Sequence, residues 1–152
     1  MAAPRIGERY RGSEGRTGYL LRQASYVFRR AMDNELRPHG LTGAQYAALS
    51  VLAREPGMSG AALARACNTT PQAMNGVLGT LERDGLVKRQ AHPTHGRIIQ
   101  VTLTRKGERR LGAATPAVRA LEDAIEAGLR STELRSLKGW LVTAAERLED
   151  KA

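Results

Sequence analysis

Between Met58 and Leu103 the period of the apolar residues switches from helical to alternating, and this switch limits the fold more than any other feature of the chain. The stretch reads MSGAALARACNTTPQAMNGVLGTLERDGLVKRQAHPTHGRIIQVTL. Ser59 is placed to cap a helix whose interior positions are Leu63, Ala66 and Cys67, with Met58 and Leu63 as a hydrophobic staple. Thr70 then caps a second helix, with Pro71 at the first helical position, where its missing N–H costs nothing. Met74, Val77, Leu78 and Leu81 give that helix one apolar stripe, and Gln72, Asn75, Gly76 and Gly79 occupy the opposite face. Two short helices joined by a tight turn, the second with a polar outer face, describe a helix–turn–helix. After Gly85 the chain alternates through Leu86–Arg89, turns at His92-Pro93-Thr94-His95-Gly96, and returns as Ile98–Leu103. That pattern predicts a β-hairpin with a basic tip, a wing. The expected fold is mainly α (α+β), a winged helix–turn–helix set between longer helices.

Charge is unevenly distributed. Residues 1–41 carry a net +4, residues 42–107 a net +5, and residues 108–152 balance at zero, which together make the net +9 of the chain. A basic winged module beside a neutral helical tail points to a polyanion for the first and a protein partner for the second. At 152 residues the chain suits one domain with a real core. No apolar run approaches the roughly 20 residues of a membrane span, no signal-peptide pattern opens the sequence, and one cysteine excludes an internal disulfide framework. A cytoplasmic protein with no membrane contact is the expectation.

Residues 1–17, rich in Gly and Arg, read as a flexible basic arm. A first helix is expected from about Tyr19 to Arg37, with Leu20, Ala24, Val27, Phe28, Ala31 and Met32 on a broad apolar face. A second should open at Thr42, with Gln45 completing a capping box, and end at Arg54 before Pro56-Gly57. After the wing a long helix carries Leu111, Val118, Leu121, Ile125 and Leu129, with Pro116 expected to kink or break it. A last helix begins near Ser131, with Leu134, Leu137, Leu141, Ala144 and Leu148 at a/d-like spacing. Residues 18–40 and 108–152 hold more apolar surface than the module 41–107 needs, so they are expected to form a helical dimerisation region.

The runs L41-T-G-A-Q-Y-A-A-L-S-V-L52, A62-L-A-R-A66, T70-P-Q-A-M-N-G-V-L-G-T-L-E-R-D-G-L-V-K-R89 and R97-I-I-Q-V-T-L-T-R-K-G107 together resemble the MarR family of bacterial transcriptional regulators. The combination of "LE-x-x-GLV-x-R", a wing arginine and "LT-x-x-G" is what makes the likeness specific. The resemblance implies a homodimer bearing two winged modules on palindromic double-stranded DNA, released from that DNA in many members by a small, often phenolic, effector bound between the dimerisation region and the DNA-binding lobe. It implies a recognition helix over Thr70–Asp84. Gln72 and Asn75 are then the base readers, each able to pair bidentately with adenine, and Ala73 can touch a thymine methyl. Gly76 and Gly79 stand where longer residues are common in the family; either the helix approaches DNA very closely there or fewer bases are read. Thr70, Arg65, Lys88, Arg89, Arg105 and Lys106 are candidates for backbone contact, and Arg97 for the minor groove. Tyr19, Arg22, Tyr26, His39 and Tyr46 are the positions expected for an effector pocket, with plain packing as the competing role for each.

The sequence departs from the family at the wing. His95 stands where an acid usually braces the arginine, and His92 where another is common. A protonated imidazole would add positive charge at the tip, so tighter DNA binding near pH 6 than near pH 8 is expected; equal operator affinity at both values, at fixed salt, would refute it. Two histidines without a nearby Cys, Asp or Glu make a poor metal site, so no metal is expected, and no cofactor. Cys67 reads as a small buried hydrophobe, with a thiol sensor as its alternative role. No Walker loop, G-x-S-x-G, H-E-x-x-H or C-x-x-C occurs, so no enzyme is expected. The rival readings are an effector-independent or pH- or thiol-modulated regulator, and a winged module used only for protein interaction.

Overall fold

The structure, a computed structural model, describes residues 3–94, 96–149 and 151. In chain order it contains α1 (Thr17–Leu36), α2 (Gly43–Arg54), β1 (Met58–Ser59), α3 (Gly60–Ala66), α4 (Pro71–Arg83), β2 (Val87–Ala91), β3 (Ile99–Leu103), α5 (Arg105–Glu126) and α6 (Ser131–Glu149). Single turns of 3-10 helix occur at Arg9–Arg11 and Arg37–His39. One compact unit runs to Val118 and a second begins at Arg119, within α5.

In the first unit one core forms; α1 contributes Leu36 to it rather than the face Leu20, Ala24, Val27, Phe28, Ala31 and Met32 expected for that helix, none of which is buried. Leu36, Leu41, Ala48, Leu49, Leu52, Leu63, Met74, Leu78, Leu81, Leu86, Val87 and Val101 are all buried. Each fully buried aliphatic side chain contributes roughly 1.5–3 kcal/mol relative to exposure, so this cluster dominates the stability of the unit. Leu36 and Met32 tie the C-terminal half of α1 to it. The Thr42–Gln45 capping box forms as expected, with Gln45 N–H donating to Thr42 Oγ1 at 3.2 Å and Thr42 N–H to Gln45 Oε1 at 2.9 Å. Asp33 of α1 adds a second cap, accepting from Gly43 N–H at 2.7 Å.

The sheet has a strand that the alternation pattern did not reveal. β1 is only two residues long and pairs antiparallel with β3, Met58 opposite Val101 and Ser59 opposite Gln100, giving the order β1-β3-β2. Ser59 is thus both a strand residue and the cap of α3, its hydroxyl accepting from Ala62 N–H at 3.2 Å. α3 itself is rotated from expectation. Leu63 and Ala64 face the core, Ala66 is exposed and Cys67 is half-buried. With only seven residues, the burial of α3 follows the packing of Leu63 rather than a resolved periodicity. The hairpin is also shifted outward, pairing Val87 with Leu103 through Ala91 with Ile99.

The "LT-x-x-G" run explains itself in space. Thr104 Oγ1 donates to Gly85 O at 2.7 Å and accepts from Gly107 N–H at 3.0 Å, capping α5 while gripping the turn after α4. Gly107 is buried, and a Cβ there would strike the Leu86 carbonyl, so only glycine lets α5 start this close. Of the two outcomes expected at Pro116, a kink or a break, the break does not occur: α5 runs through it from Arg105 to Glu126. Ala114 and Val118, on either side of it, are both buried, and their packing holds the helix across the missing hydrogen bond.

Residues 3–16, the described part of the expected arm, make contacts with α1. The segment folds back on itself and onto α1. Gly12 N–H donates to Arg9 O at 2.9 Å, and Arg11 hydrogen-bonds with Gln23 of α1. A Cβ at Gly12 would strike the Gly7 carbonyl, so glycine serves close backbone approach here rather than disorder.

In the second unit, α6 has no buried residue. Leu137 and Leu141 are each 39% exposed, Trp140 44% and Leu148 58%.

Candidate nucleic-acid interface

α4 is held at both ends. At its start Thr70 Oγ1 accepts from Ala73 N–H at 3.1 Å, a cap of about 1 kcal/mol. At its end a Schellman turn forms through Gly85, with Leu86 N–H donating to Leu81 O at 2.8 Å and Gly85 N–H to Glu82 O at 2.9 Å. Met74, Leu78 and Leu81 are buried beneath it, and Val77 is half-buried. The face left outward carries Gln72, Ala73, Asn75, Gly76 and Gly79, all exposed, and nothing lies within 4 Å of a Cβ built at Gly76 or Gly79. Neither the Gln72 nor the Asn75 amide is hydrogen-bonded to another side chain among the described residues, so both keep their donors and acceptors for an external partner.

Asn75, Arg89 and Arg97 come together. With Ser59, Gly60 and Ile98 they line a groove of about 500 Å³ between α4, the start of α3 and the wing. Two arginines and an amide along a groove beside an exposed helix suit a polyanionic backbone. Arg89 is not free in it. Its Nε lies 3.3 Å from Glu82 Oε2 of α4, yet without the alignment of a hydrogen bond, so the pair is a Coulombic tether between wing and helix. Lys106 has a similar anchoring role, its Nζ donating to Asp84 O at 2.8 Å, where the negative end of the α4 dipole lies. Glu82 and the Asp84 carbonyl were invisible in the sequence, because each pairing joins different elements. Arg65, Lys88, Arg97 and Arg105 are exposed and have no ion pair among the described residues.

At the wing tip, His92 N–H donates to Ile98 O at 2.8 Å, and its Nδ1 accepts from Thr94 N–H at 3.2 Å. His95 lies outside the described residues. Ile98 and Ile99 are exposed at 44% and 48%, an apolar flank to the basic tip that the alternation of the strand did not anticipate.

The five positions expected around an effector divide. Tyr19, Arg22 and Tyr26 line one groove on α1 with Arg11 and Gln23. His39 and Tyr46 are not part of it. The His39 carbonyl accepts from Arg110 at 3.1 Å, and Tyr46 Oη donates to Thr115 Oγ1 at 3.4 Å, tying α2 to α5. Burial raises the Cys67 thiol above its ordinary range, which lowers its thiolate content and disfavours a sensor role. Among the described residues no group of three or more His, Cys, Asp or Glu is arranged to hold a metal, and no helix is long and apolar enough to cross a membrane.

Comparison with known proteins accords with this geometry. The MarR family model matches residues 39–98. The HTH-type transcriptional repressor Rv2887 of Mycobacterium tuberculosis is 40% identical over 124 residues, covering 82% of this chain and 89% of that protein. The solved structure of Rv2887 in complex with salicylic acid superposes with a TM-score of 0.68 at 37% identity, covering 87% of this chain and 98% of the other. CouR of Rhodococcus jostii RHA1, bound to p-coumaroyl-CoA, superposes with a TM-score of 0.78 at 25% identity, covering 84% and 90%. With the capped, outward-facing α4 and the wing in place, the chain belongs to the MarR family of non-enzymatic, DNA-binding transcriptional regulators.

Proposed function

We propose that the chain is a homodimeric repressor that reads a palindromic operator and leaves it when a small aromatic acid binds. The observation that carries this reading is α4, pinned by Met74, Leu78 and Leu81 and capped at both ends, with Gln72, Ala73, Asn75 and Gly76 left open to solvent. A helix so fixed presents its polar face with little entropy left to lose, which favours specific base contact. Residues 41–107 form the DNA-binding module. Thr70, Arg65, Lys88, Arg89 and Arg105 are its backbone contacts and Arg97 its minor-groove contact, with Lys106 fixing the end of α4. α1 and residues 108–152 supply the dimer, which the exposed stripe of α6 supports. The effector is proposed at Tyr19, Arg22 and Tyr26, by analogy with the salicylic acid and p-coumaroyl-CoA bound by the relatives.

Genomic fragments selected with the purified protein at near-physiological salt test it. One palindrome with half-sites about one helical turn apart is the expected product. Asn75→Ala should then weaken binding to that site by roughly 1–3 kcal/mol and relax preference at one base pair per half-site. Uniform recovery of all fragments would overturn sequence-specific repression.

A further inference from the structure

The groove on α1 is completed by a segment outside the residues that match the family model. Tyr19, Arg22, Gln23 and Tyr26 recur at three- and four-residue steps, so they share one face of α1, roughly a quarter to a third of a turn from the core-facing Met32 and Leu36. Arg11 comes from the preceding segment and is fixed from two sides. Its Nε donates to Gln23 Oε1 at 2.9 Å and its Nη1 to Pro4 O at 2.9 Å, while Gln23 Nε2 donates back to Arg11 O at 3.1 Å. Tyr10 packs edge-on against Tyr19, ring centroids 5.6 Å apart, which holds the segment down beside the groove. The Arg22 guanidinium lies 5.8 Å from the Tyr19 ring centroid. The groove has a volume of about 240 Å³.

The braces on Arg11 are an amide and a carbonyl, both neutral, so its charge is positioned without being cancelled. Neither Arg11 nor Arg22 is paired with a carboxylate among the described residues. Two uncompensated guanidinium groups beside two phenol rings match a ligand with a carboxylate on an aromatic ring, because a fixed planar fork pairs bidentately with a carboxylate. We propose that the N-terminal segment Pro4–Gly15 is part of the effector site and that Arg11 anchors the carboxylate of a small aromatic acid lying against Tyr19 and Tyr26. This rests on the effector reading above and extends it to a residue that family position does not supply.

The test is calorimetric titration of the full chain with salicylate and with salicylamide, which keeps the ring and removes the charge. The wild-type protein should prefer salicylate. Arg11→Gln should weaken salicylate by about tenfold and leave salicylamide unchanged, since only the charge-assisted contact is lost. Tyr10→Ala, which loosens the segment without removing charge, should weaken salicylate less than Arg11→Gln does. If Arg11→Gln leaves salicylate affinity intact, or weakens both ligands alike, the anchor is overturned while the effector reading stands. If the wild-type chain binds neither salicylate nor any other aromatic acid in a panel, the effector reading itself fails, and the anchor with it.

Discussion

In α4, Met74, Leu78 and Leu81 are at most 1% exposed, whereas in α6 Leu137 and Leu141 are each 39% exposed and no residue is buried. Both helices carry apolar residues at three- and four-residue steps. The difference lies in what each stripe meets. α4 is covered by α2, α3 and β2 of the same compact unit, and its opposite face is left exposed, the face proposed to read DNA. The α6 stripe, with Trp140 beside it, is the kind of surface that a second copy covers. Periodicity shows that a helix has two faces; only the surroundings show which face is already used.

The largest expected effect tests this contrast directly. Leu81→Ala should cost roughly 2–5 kcal/mol of stability, because the cavity opens in a core that cannot collapse around it. Leu141→Ala, at a residue still substantially exposed, should cost far less in dilute solution. Denaturant titrations of the two variants at low protein concentration make the comparison, and equal losses would mean that α6 is buried within its own chain. Next in size is the assembly effect. Leu141→Glu should shift the protein from dimer to monomer in sedimentation equilibrium with helix content retained, and the melting temperature should lose its dependence on protein concentration. A dimer of unchanged affinity would remove α6 from the interface.

What the sequence disclosed follows the same division. Caps and stripes are local, so Thr42, Ser59, Thr70 and the α4 pattern were legible residue by residue. β1 was not, because two residues that pair with Val101 and Gln100 carry no pattern of their own. The contacts of the N-terminal segment were not legible either, because Gly and Arg are also the composition of flexible chain and the contacts depend on close backbone approach at Gly12 and on Gln23 of α1, 12 residues from Arg11. In the site, the outward set Gln72, Asn75, Gly76 and Gly79 was legible from helical spacing, and Ala73 from the family resemblance. The restraint of Arg89 by Glu82 and the use of Lys106 on the Asp84 carbonyl were not, since both depend on how the wing and α5 return to α4.

That restraint gives the third prediction. Glu82 ties α4 to the wing and neutralises one candidate phosphate contact. Glu82→Gln should release Arg89, so that log K for DNA falls more steeply with log salt by about 0.9, the value for one added phosphate contact. Binding at low salt should tighten accordingly. An unchanged slope in fluorescence anisotropy across a salt series would mean that Arg89 faces no phosphate.

The smallest effect separates the two helices by their caps. The α4 cap is the Thr70 hydroxyl, which does not titrate near neutral pH. The α6 cap is a carboxylate: Glu133 Oε2 accepts from Arg130 N–H at 2.8 Å, and its Oε1 pairs with the Arg130 guanidinium at 2.6 Å. The hydrogen bond from the Arg130 side chain, then that from its backbone, hold the Glu133 carboxyl below the usual range. A carboxyl depressed on folding contributes stability that is fully present above its unfolded value of about 4.3 and is lost as pH falls through the folded value. Acidification below about pH 4 should therefore speed amide exchange in the first turn of α6, after correction for the intrinsic pH dependence of exchange, while the first turn of α4 keeps its protection until the core itself unfolds. Glu133→Gln should remove the pH dependence at α6. The group is solvent-exposed, so fraying of one helical turn, rather than a shift of the global midpoint, is the expected signature. Parallel loss of protection at both helix starts would mean that acid acts on the fold as a whole and that the caps do not differ.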